Sequence, residues 1–249
     1  FEEIENKFFM QKIKFILAVG TAIFSLFAQS VIDRSVKSIS FFGNDSFSQR
    51  TLLEQVELKP PSLFIFSHTA YDRRLLKLDA ISLKNYYYSR GFLEAVVNDS
   101  FSIVDDEVDI FYIINEGRRY YLNSVNVNGL ESLKEKSLLS LLGLKNGEPY
   151  NPVQINTNLY KVDEAFQEAG KLFARYDIQQ NIKDSVNITL NIDEGQNVYI
   201  WDSWVSGTQK IDSAYVRNEF AFEKGDRFRK SLIDKTKRTL LQAGFFSSV

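Results

Sequence analysis

The sequence predicts an α+β protein of tandem small domains, each with the element order β-α-α-β-β and a three-stranded sheet covered by two helices. The main observation is a repeat whose aromatic landmark lies at Tyr71, Tyr150 and Phe228, an interval of 79 and then 78 residues. Such a long period is typical of a small domain, not of one turn of a solenoid. Three glycine-containing landmarks accompany the aromatic one: a glycine after a strand-like run (Gly43, Gly129, Gly207), a glycine after a helix-like run (Gly91, Gly170, Gly244), and a closing Glu-Gly pair (116–117, 194–195).

The second copy shows the first half of the unit most clearly. Val125 and Val127 alternate with polar residues, which predicts a strand with one buried face, and Gly129 ends this pattern. The leucines within 138–142 predict a short first helix. An Asn-Gly pair at 146–147 then predicts a turn before the second helix.

The second half of this copy predicts a long helix followed by a hairpin. Pro152 is acceptable at the first helical position. The apolar residues that follow have the four-three-four spacing of one helix face: Ile155, Leu159, Val162 and Phe166. Two strands at 173–182 and 186–192 are separated by a short polar connection, which predicts an antiparallel pair.

The first copy repeats this order with an insertion at 60–66 between its helices. Its hairpin strands are predicted at 93–103 and 108–114, with a turn at Asp105–Asp106. Its long helix has the same four-three-four spacing: Leu76, Ala80, Leu83 and Tyr87.

The third copy is predicted to be partial. Its first strand is expected at 198–205, and its long helix contains Ile233, Thr236 and Leu240. The sequence ends at Val249, where the hairpin of this copy should begin. We therefore expect two whole domains and part of a third.

The N-terminal residues predict a secretory signal peptide at 10–28. A basic stretch follows Met10, and an apolar run at 15–27 leads to a small residue. This run is shorter than the roughly 20 residues that cross a bilayer, although an N-terminal membrane anchor is an alternative interpretation. Residues 1–9 are interpreted as upstream read-through or an added extension, and the mature chain is expected outside the cytoplasm.

Composition argues against catalysis and against a nucleic-acid partner. The net charge of −2 provides no global attraction for nucleic acid or anionic lipid. The sequence has no cysteine, which excludes disulfides, thiolate zinc sites and cysteine nucleophiles. His68 is the single histidine, and no phosphate-binding or dinucleotide-binding glycine motif occurs. We expect no enzyme activity, no cofactor and no metal site.

Together, the landmarks resemble the polypeptide-transport-associated (POTRA) domains of outer-membrane assembly proteins, the BamA and TamA family. The most specific stretch is Tyr88 to Ala95, which is similar to the family signature that ends the long helix and enters the edge strand. This resemblance implies POTRA domains at 35–117 and 118–195 and a partial one at 196–249. It also implies a periplasmic location and a C-terminal membrane β-barrel in the same full-length chain.

The resemblance further implies where a client polypeptide would bind. In the family, the strand after the long helix lies at the sheet edge, where an extended segment can add as a further strand. An apolar run in the insertion predicts a second contact surface, with extra core packing as the alternative. For the edge strands, the alternative to client binding is that they merely pack against a neighbouring domain. The implied binding residues are Ala95, Val96, Val97 and Phe101 in the first copy, Phe173, Tyr176 and Ile178 in the second, and Leu63, Phe64 and Phe66 in the insertion.

The function implied by the resemblance is that of a periplasmic receptor within an outer-membrane protein insertion machine. It would receive unfolded outer-membrane proteins by β-strand augmentation and dock accessory outer-membrane lipoproteins. One alternative is the periplasmic region of a two-partner secretion or autotransporter-assembly transporter. Another is a cell-division-type scaffold on a membrane anchor, against which the tandem copies and the short apolar run argue.

Overall fold

The computed structural model describes residues 34–61, 69–206 and 212–243. These residues form two compact units. The first unit contains the described residues up to Ser82 together with Val97–Ile114, and the second contains Leu83–Val96 and the described residues from Asn115 onward. The signal peptide predicted at 10–28 lies outside the described residues.

The first copy has the predicted β-α-α-β-β order. Its elements are β1 (Ser35–Phe42), α1 (Gln49–Leu53), α2 (Arg73–Tyr88), β2 (Val96–Val104) and β3 (Glu107–Asn115). The Ser48 hydroxyl accepts a hydrogen bond from the Thr51 amide and so caps α1. Asp105 and Asp106 have positive φ angles of 50° and 64°, which confirms the predicted tight turn between β2 and β3.

The sheet of the first copy has the order β1-β3-β2. β1 and β3 are parallel, with a register shift between Val36 and Ser38. Alternate side chains of β1 and β3 are buried, as are residues of α1, of the segment that follows α1, and of α2 in the same unit. These buried residues are Val36, Ile39, Phe41, Leu52, Val56, Leu58, Leu76, Ala80, Val108, Ile110, Tyr112 and Ile114.

The second copy repeats the architecture. Its elements are β4 (Leu122–Asn128), α3 (Glu135–Leu142), α4 (Pro152–Glu168), β5 (Arg175–Ile182) and β6 (Val186–Asp193). The Asn151 side chain caps the N-terminus of α4, and Gly143 ends α3 in the left-handed conformation at φ 74°.

The sheet of the second copy has the order β4-β6-β5. β4 pairs with β6 in parallel, and β5 pairs with β6 antiparallel from Arg175↔Asp193 to Ile182↔Val186. The buried face of this sheet and the stripes of α3 and α4 form one apolar core. It contains Tyr120, Leu122, Leu138, Leu142, Leu144, Tyr150, Ile155, Val162, Phe166, Val186, Ile188, Leu190 and Ile192.

The third copy contributes α5 (Ser213–Asn218) and α6 (Lys230–Gln242). The prediction of a strand at 198–205 was wrong, because only an isolated bridge between Tyr199 and Arg227 forms there. In the first two copies the corresponding strand pairs with the last strand of the hairpin. Among the described residues of the third copy there is no hairpin, so this segment has no parallel neighbour. Trp201 in the same segment is 82% exposed.

Close packing explains why a glycine follows the first strand of each complete copy. A Cβ atom on Gly129 would lie 2.1 Å from the carbonyl oxygen of Ile192, and one on Gly43 would lie 2.1 Å from that of Ile114. Both glycines also have positive φ angles, 76° and 75°. The landmark is therefore a requirement for the backbone to pass the end of the last strand.

Candidate functional site

The strand order places β2 and β5 at one edge of their sheets and β1 and β4 at the other. The edge of β4 is partly covered, because Leu122 donates its amide to Glu148 O at 3.0 Å and accepts from the Gly147 amide at 2.7 Å. In β5, by contrast, no backbone hydrogen bond to any described residue outside β6 is present. The backbone of β5 is therefore the open edge of the second sheet.

The hydrogen-bond pattern shows which β5 amides face this open edge. Val186 donates its amide to Tyr121 O at 2.9 Å, on the β4 side of β6. Because amides alternate between the two sides of a strand, the amide of Asn187 and every second amide after it face β5. Their β5 partners face β6 in turn. The β5 amides left at the open edge are those of Tyr176, Ile178, Gln180 and Ile182.

The two faces of β5 differ in polarity. Tyr176 and Ile178 are half-buried and pack against the core of the second copy. They border a small apolar crevice together with Leu159 and Val162 of α4. The Tyr176 hydroxyl donates to Asp163 Oδ1 at 2.8 Å, and burial together with this hydrogen bond raises the pKa of Tyr176 to about 12. The opposite face carries exposed polar side chains: Arg175, Asp177 and Gln179.

In the first copy, three of the predicted binding residues differ in exposure. Val96 opens β2 and is exposed, and Val97 is half-buried. Ala95 was predicted to lie in the edge strand, but it precedes β2 and is 2% exposed. Its methyl group fills the core, so Ala95 can contribute to an edge only by positioning Val96.

Phe101 lies within β2 and is half-buried. Its ring packs against the Tyr71 ring with centroids 5.3 Å apart, and the Arg73 guanidinium lies 6.0 Å from its centroid. The Phe101 side chain is therefore held in place by its own domain.

The remaining predicted residues lie outside the edge strands. The sequence placed Phe173 in a strand, but β5 begins at Arg175 and Phe173 lies in the preceding turn with 70% of its side chain exposed. The predicted contact residues Leu63, Phe64 and Phe66 lie outside the described residues.

In the second copy, the glutamate of the Glu-Gly landmark is a buried carboxylate that holds the end of the sheet. Glu194 Oε1 accepts from the amides of Glu131 and Ser132, both at 2.7 Å, and Lys171 Nζ lies 3.8 Å from Oε2. Burial acts to raise the pKa of Glu194, but the two amides and the Lys171 ammonium lower it more, so its pKa lies below the usual value. Glu194 thereby attaches the loop after β4 to the end of β6.

The glycine after each long helix meets the start of the next copy. The Gly91 carbonyl accepts from the Tyr120 amide at 2.8 Å, and the Gly170 carbonyl accepts from the Val198 amide at 2.9 Å. A Cβ on Gly91 would lie 2.7 Å from the Tyr120 carbonyl oxygen, and one on Gly170 would lie 2.8 Å from the Arg227 side chain. This landmark therefore connects consecutive copies as well as ending a helix.

Two buried tyrosines of the second unit have contrasting hydroxyl groups. The Tyr120 hydroxyl donates to Glu94 Oε1 at 2.6 Å. The Tyr150 hydroxyl is buried without a hydrogen-bond partner among the described residues. Burial, with a smaller contribution from Tyr88, raises the pKa of Tyr150 to about 12. Tyr150 thus contributes its ring to the core, whereas Tyr120 also contributes a charged hydrogen bond.

Sequence reasoning missed one polar position that recurs on the long helices. Asp79 is buried and accepts from the amides of Glu57 and Leu58 at 2.7 and 3.0 Å. Thr236, the corresponding residue of α6, accepts from the Ala221 amide at 2.9 Å. A polar residue at the same place in the long helix of each copy (Asp79, Asn158, Thr236) was the available signal, but the spacing of apolar residues does not reveal it.

Within residues 34–61, 69–206 and 212–243, no three His, Cys, Asp or Glu side chains cluster closely enough to hold a metal ion. In those same ranges, no helix combines the length and the apolar character needed to cross a membrane.

The family model described as "POTRA: Surface antigen variable number repeat" matches residues 35–117, 120–195 and 198–249. The chain therefore belongs to the POTRA family, as its β-α-α-β-β copies indicate.

Among relatives, the chain is 24% identical over 222 residues to the outer membrane protein assembly factor BamA of Buchnera aphidicola, covering 86% of this chain and 36% of that protein. It is 24% identical over 232 residues to a putative outer membrane protein assembly factor of Treponema pallidum, covering 89% of this chain and 27% of that protein. The chain thus spans about a third of the length of the curated relatives it matches.

Among solved structures, the chain is similar to POTRA domains 3–5 of Haemophilus influenzae BamA. The TM-score is 0.53 at 24% sequence identity, over 86% of this chain and 87% of the other. This similarity supports the fold found for the two complete copies.

Proposed function

We propose that this chain is the periplasmic POTRA region of an outer-membrane β-barrel assembly protein and that it binds extended segments of unfolded outer-membrane proteins. The observation that carries the proposal is the open backbone edge of β5, whose outward amides have no partner among the described residues. The relatives are outer membrane protein assembly factors by name, which supports this class of client. Secretion by the signal peptide at 10–28, accessory outer-membrane lipoproteins as partners, and a following membrane β-barrel belong to the same proposal.

Strand addition suits a receptor with many clients. Main-chain hydrogen bonds supply affinity and are almost independent of the client sequence, whereas alternate side chains supply selectivity. At β5, one side of the client would contact the apolar crevice beside Tyr176 and Ile178, and the other would lie near Asp177. A client strand with alternating apolar and polar residues fits both faces, and this is the pattern of membrane-barrel strands.

The first copy would bind a second segment along β2. Val96 is exposed at the start of this strand, and Val97 and Phe101 present half-buried side chains. Phe173, exposed in the turn before β5, would contact a client that extends past the end of that strand. Leu63, Phe64 and Phe66 remain a proposed partner surface. Each edge binds weakly alone, and tandem copies gain through effective concentration.

The experiment compares two neighbouring glutamines of β5. The Gln180 amide faces the open edge and the Gln179 amide faces β6, and both side chains are exposed. Proline removes the amide proton, so Gln180→Pro should keep the fold and weaken binding of a peptide with an alternating barrel-strand pattern by about tenfold. Gln179→Pro, the matched control, should lose a ladder hydrogen bond and destabilise the domain by about 1–3 kcal/mol.

Amide hydrogen exchange checks the orientation in the same sample. The amides of Tyr176, Ile178 and Gln180 should exchange faster than their odd-numbered neighbours and become protected when the peptide binds. If Gln180→Pro is folded and binds the peptide as tightly as the unmodified chain, strand addition at β5 is wrong.

A further inference from the structure

The long helix of the first copy carries two large apolar side chains on its solvent face. Leu78 and Ile81 of α2 are each 55% exposed. They are three residues apart and so lie next to each other on the helix surface. The opposite face of α2 already provides the core residues Leu76 and Ala80. The exposed pair is therefore a second apolar surface of α2, outside the core formed by the described residues.

The other copies show that the fold does not require aliphatic residues here. The positions that correspond to Leu78 and Ile81 are Thr157 and Tyr160 in α4, and Lys235 and Arg238 in α6. The first copy alone keeps an aliphatic pair, so the pair is a property of this copy and not of the repeat.

Basic residues lie on the N-terminal side of the aliphatic pair. Arg73, Arg74 and Lys77 precede it in the first turns of α2 and are exposed. Arg74 is paired with Asp72 at 3.0 Å, whereas Lys77 forms no ion pair with a described residue. The acidic residue of the helix, Asp79, is buried and bound to the amides of Glu57 and Leu58. The solvent face of this part of α2 is therefore apolar at its centre and positive beside it.

We propose that this face, formed by Arg73, Arg74, Lys77, Leu78 and Ile81 and called here the α2 face, docks an acidic amphipathic helix of a partner protein. A spacing of three between apolar residues is that of one coiled-coil contact, in which side chains of one helix fit between those of another. Acidic residues beside the partner's apolar stripe would complement Lys77 and the arginines and fix the orientation. This surface belongs to α2 and not to an edge strand, although its Arg73 guanidinium also lies 6.0 Å from the centroid of the Phe101 ring in β2. It adds a partner of different shape to the proposed function.

An anionic membrane is the other surface that a basic and apolar face could meet, but the geometry favours a helix. A helix that lies in a bilayer interface inserts a wide apolar face. The wide apolar face of α2 is buried, and its exposed aliphatic side chains are Leu78 and Ile81, with Tyr88 exposed separately at the last residue of the helix. Two adjacent side chains suffice for a helix–helix contact and are too few for interfacial insertion.

The test uses a designed three-heptad peptide with leucine at its a and d positions and glutamate beside them. Binding to the 249-residue chain is measured by fluorescence anisotropy at low and high salt. Leu78→Ser and Ile81→Ser together should weaken binding by at least about tenfold and leave the melting temperature unchanged, because both side chains are exposed. Tyr160→Ser is the matched control, since Tyr160 holds the equivalent place on α4 with the same 55% exposure and should not affect binding.

The outcomes separate the possible occupants. Binding that falls with salt, and that is lost when lysine replaces the peptide's glutamates, supports the proposal. No binding below about 1 mM, or equal binding to the double variant, overturns it. Binding to vesicles containing phosphatidylglycerol that requires Leu78 and Ile81 would overturn it in favour of a membrane. Self-association that the double variant abolishes would overturn it in favour of a second copy.

Discussion

Two tyrosines of the second unit provide a matched test of how the repeat is stabilised. Tyr120 and Tyr150 are 3% and 2% exposed, so the hydroxyl is removed from an equally buried side chain in both cases. The Tyr120 hydroxyl donates to Glu94 at 2.6 Å, whereas the Tyr150 hydroxyl has no partner among the described residues. Tyr120→Phe should therefore destabilise the chain, and Tyr150→Phe should not.

The magnitudes follow from the two environments. A hydrogen bond to a charged group contributes about 1.5–3 kcal/mol. Because Glu94 is exposed and can be solvated again, the lower end applies and Tyr120→Phe should cost about 1.5 kcal/mol. Tyr150→Phe removes a desolvated hydroxyl, so its effect should lie between zero and a gain of about 1 kcal/mol. The third copy already has Phe228 at the position of Tyr150, which shows that the repeat accommodates the bare ring.

Urea unfolding followed by far-ultraviolet circular dichroism measures both effects in the intact chain. With a slope of about 1.5 kcal/mol per molar urea, the Tyr120→Phe midpoint should fall by about 1 M, and the Tyr150→Phe midpoint should stay or rise. A double-mutant cycle that combines Tyr120→Phe with Glu94→Gln isolates the pair, and the second change should add little to the first. Equal losses for the two tyrosine variants, or fully additive changes in the cycle, would refute the reasoning.

Two further predictions concern the landmarks of the repeat. Glu194 has a folded-state pKa below its usual 4.5, so the stability it contributes is present above about pH 4.5 and is lost as the pH falls through the folded-state pKa. Glu194→Gln should remove this part of the acid dependence. The melting temperatures of the variant and of the unchanged chain are compared between about pH 3 and pH 6, and the same pH dependence in both would contradict the prediction. Gly129→Ala should prevent the second copy from folding, because its Cβ would lie 2.1 Å from the Ile192 carbonyl oxygen, whereas a Cβ on Gly147 meets nothing within 4 Å. Gly147→Ala should cost only the positive-φ penalty of about 1–2 kcal/mol, and similar circular dichroism melts for the two alanine variants would exclude the steric explanation.

The elements of the two complete copies were predictable because each carries a local signal. The alternation in 186–192 and the four-three-four stripe from Ile155 to Phe166 are both periodic patterns, and the strand β6 and the helix α4 contain them. The Asp105–Asp106 turn was also predictable, since aspartate tolerates the positive φ angles found there.

The errors arose where the outcome depends on a distant segment. The residues 198–205 have the composition of a first strand, but a strand forms only when another strand supplies its hydrogen bonds, and the described part of the third copy has none to pair with it. Phe173 comes soon after Gly170, the glycine that follows the long helix, so it lies in a turn where the apolar pattern predicts a strand. The role of Asp79 was missed because its amide partners, Glu57 and Leu58, lie more than 20 residues away in the sequence.

The position of the sheet edge was predictable, but the amides that face it were not. A resemblance can place the edge on the strand after the long helix, whereas the choice between Gln179 and Gln180 depends on the register of β5 with β6 and on the side to which Val186 donates. No sequence pattern encodes this alternation, because backbone amides are the same in every residue. The structure therefore determines which single amides face the open edge.

The landmarks of the repeat and the open edge are parts of one arrangement. Gly129 and Glu194 hold the loop after β4 against the end of β6, and the chain at Gly147 and Glu148 covers the outer edge of β4. β6 is central because it pairs with both β4 and β5, and the partly covered edge of β4 leaves β5 as the open strand among the described residues. The first copy has the same strand order, so the strand after the long helix lies at the corresponding edge in both complete copies, β2 in the first and β5 in the second.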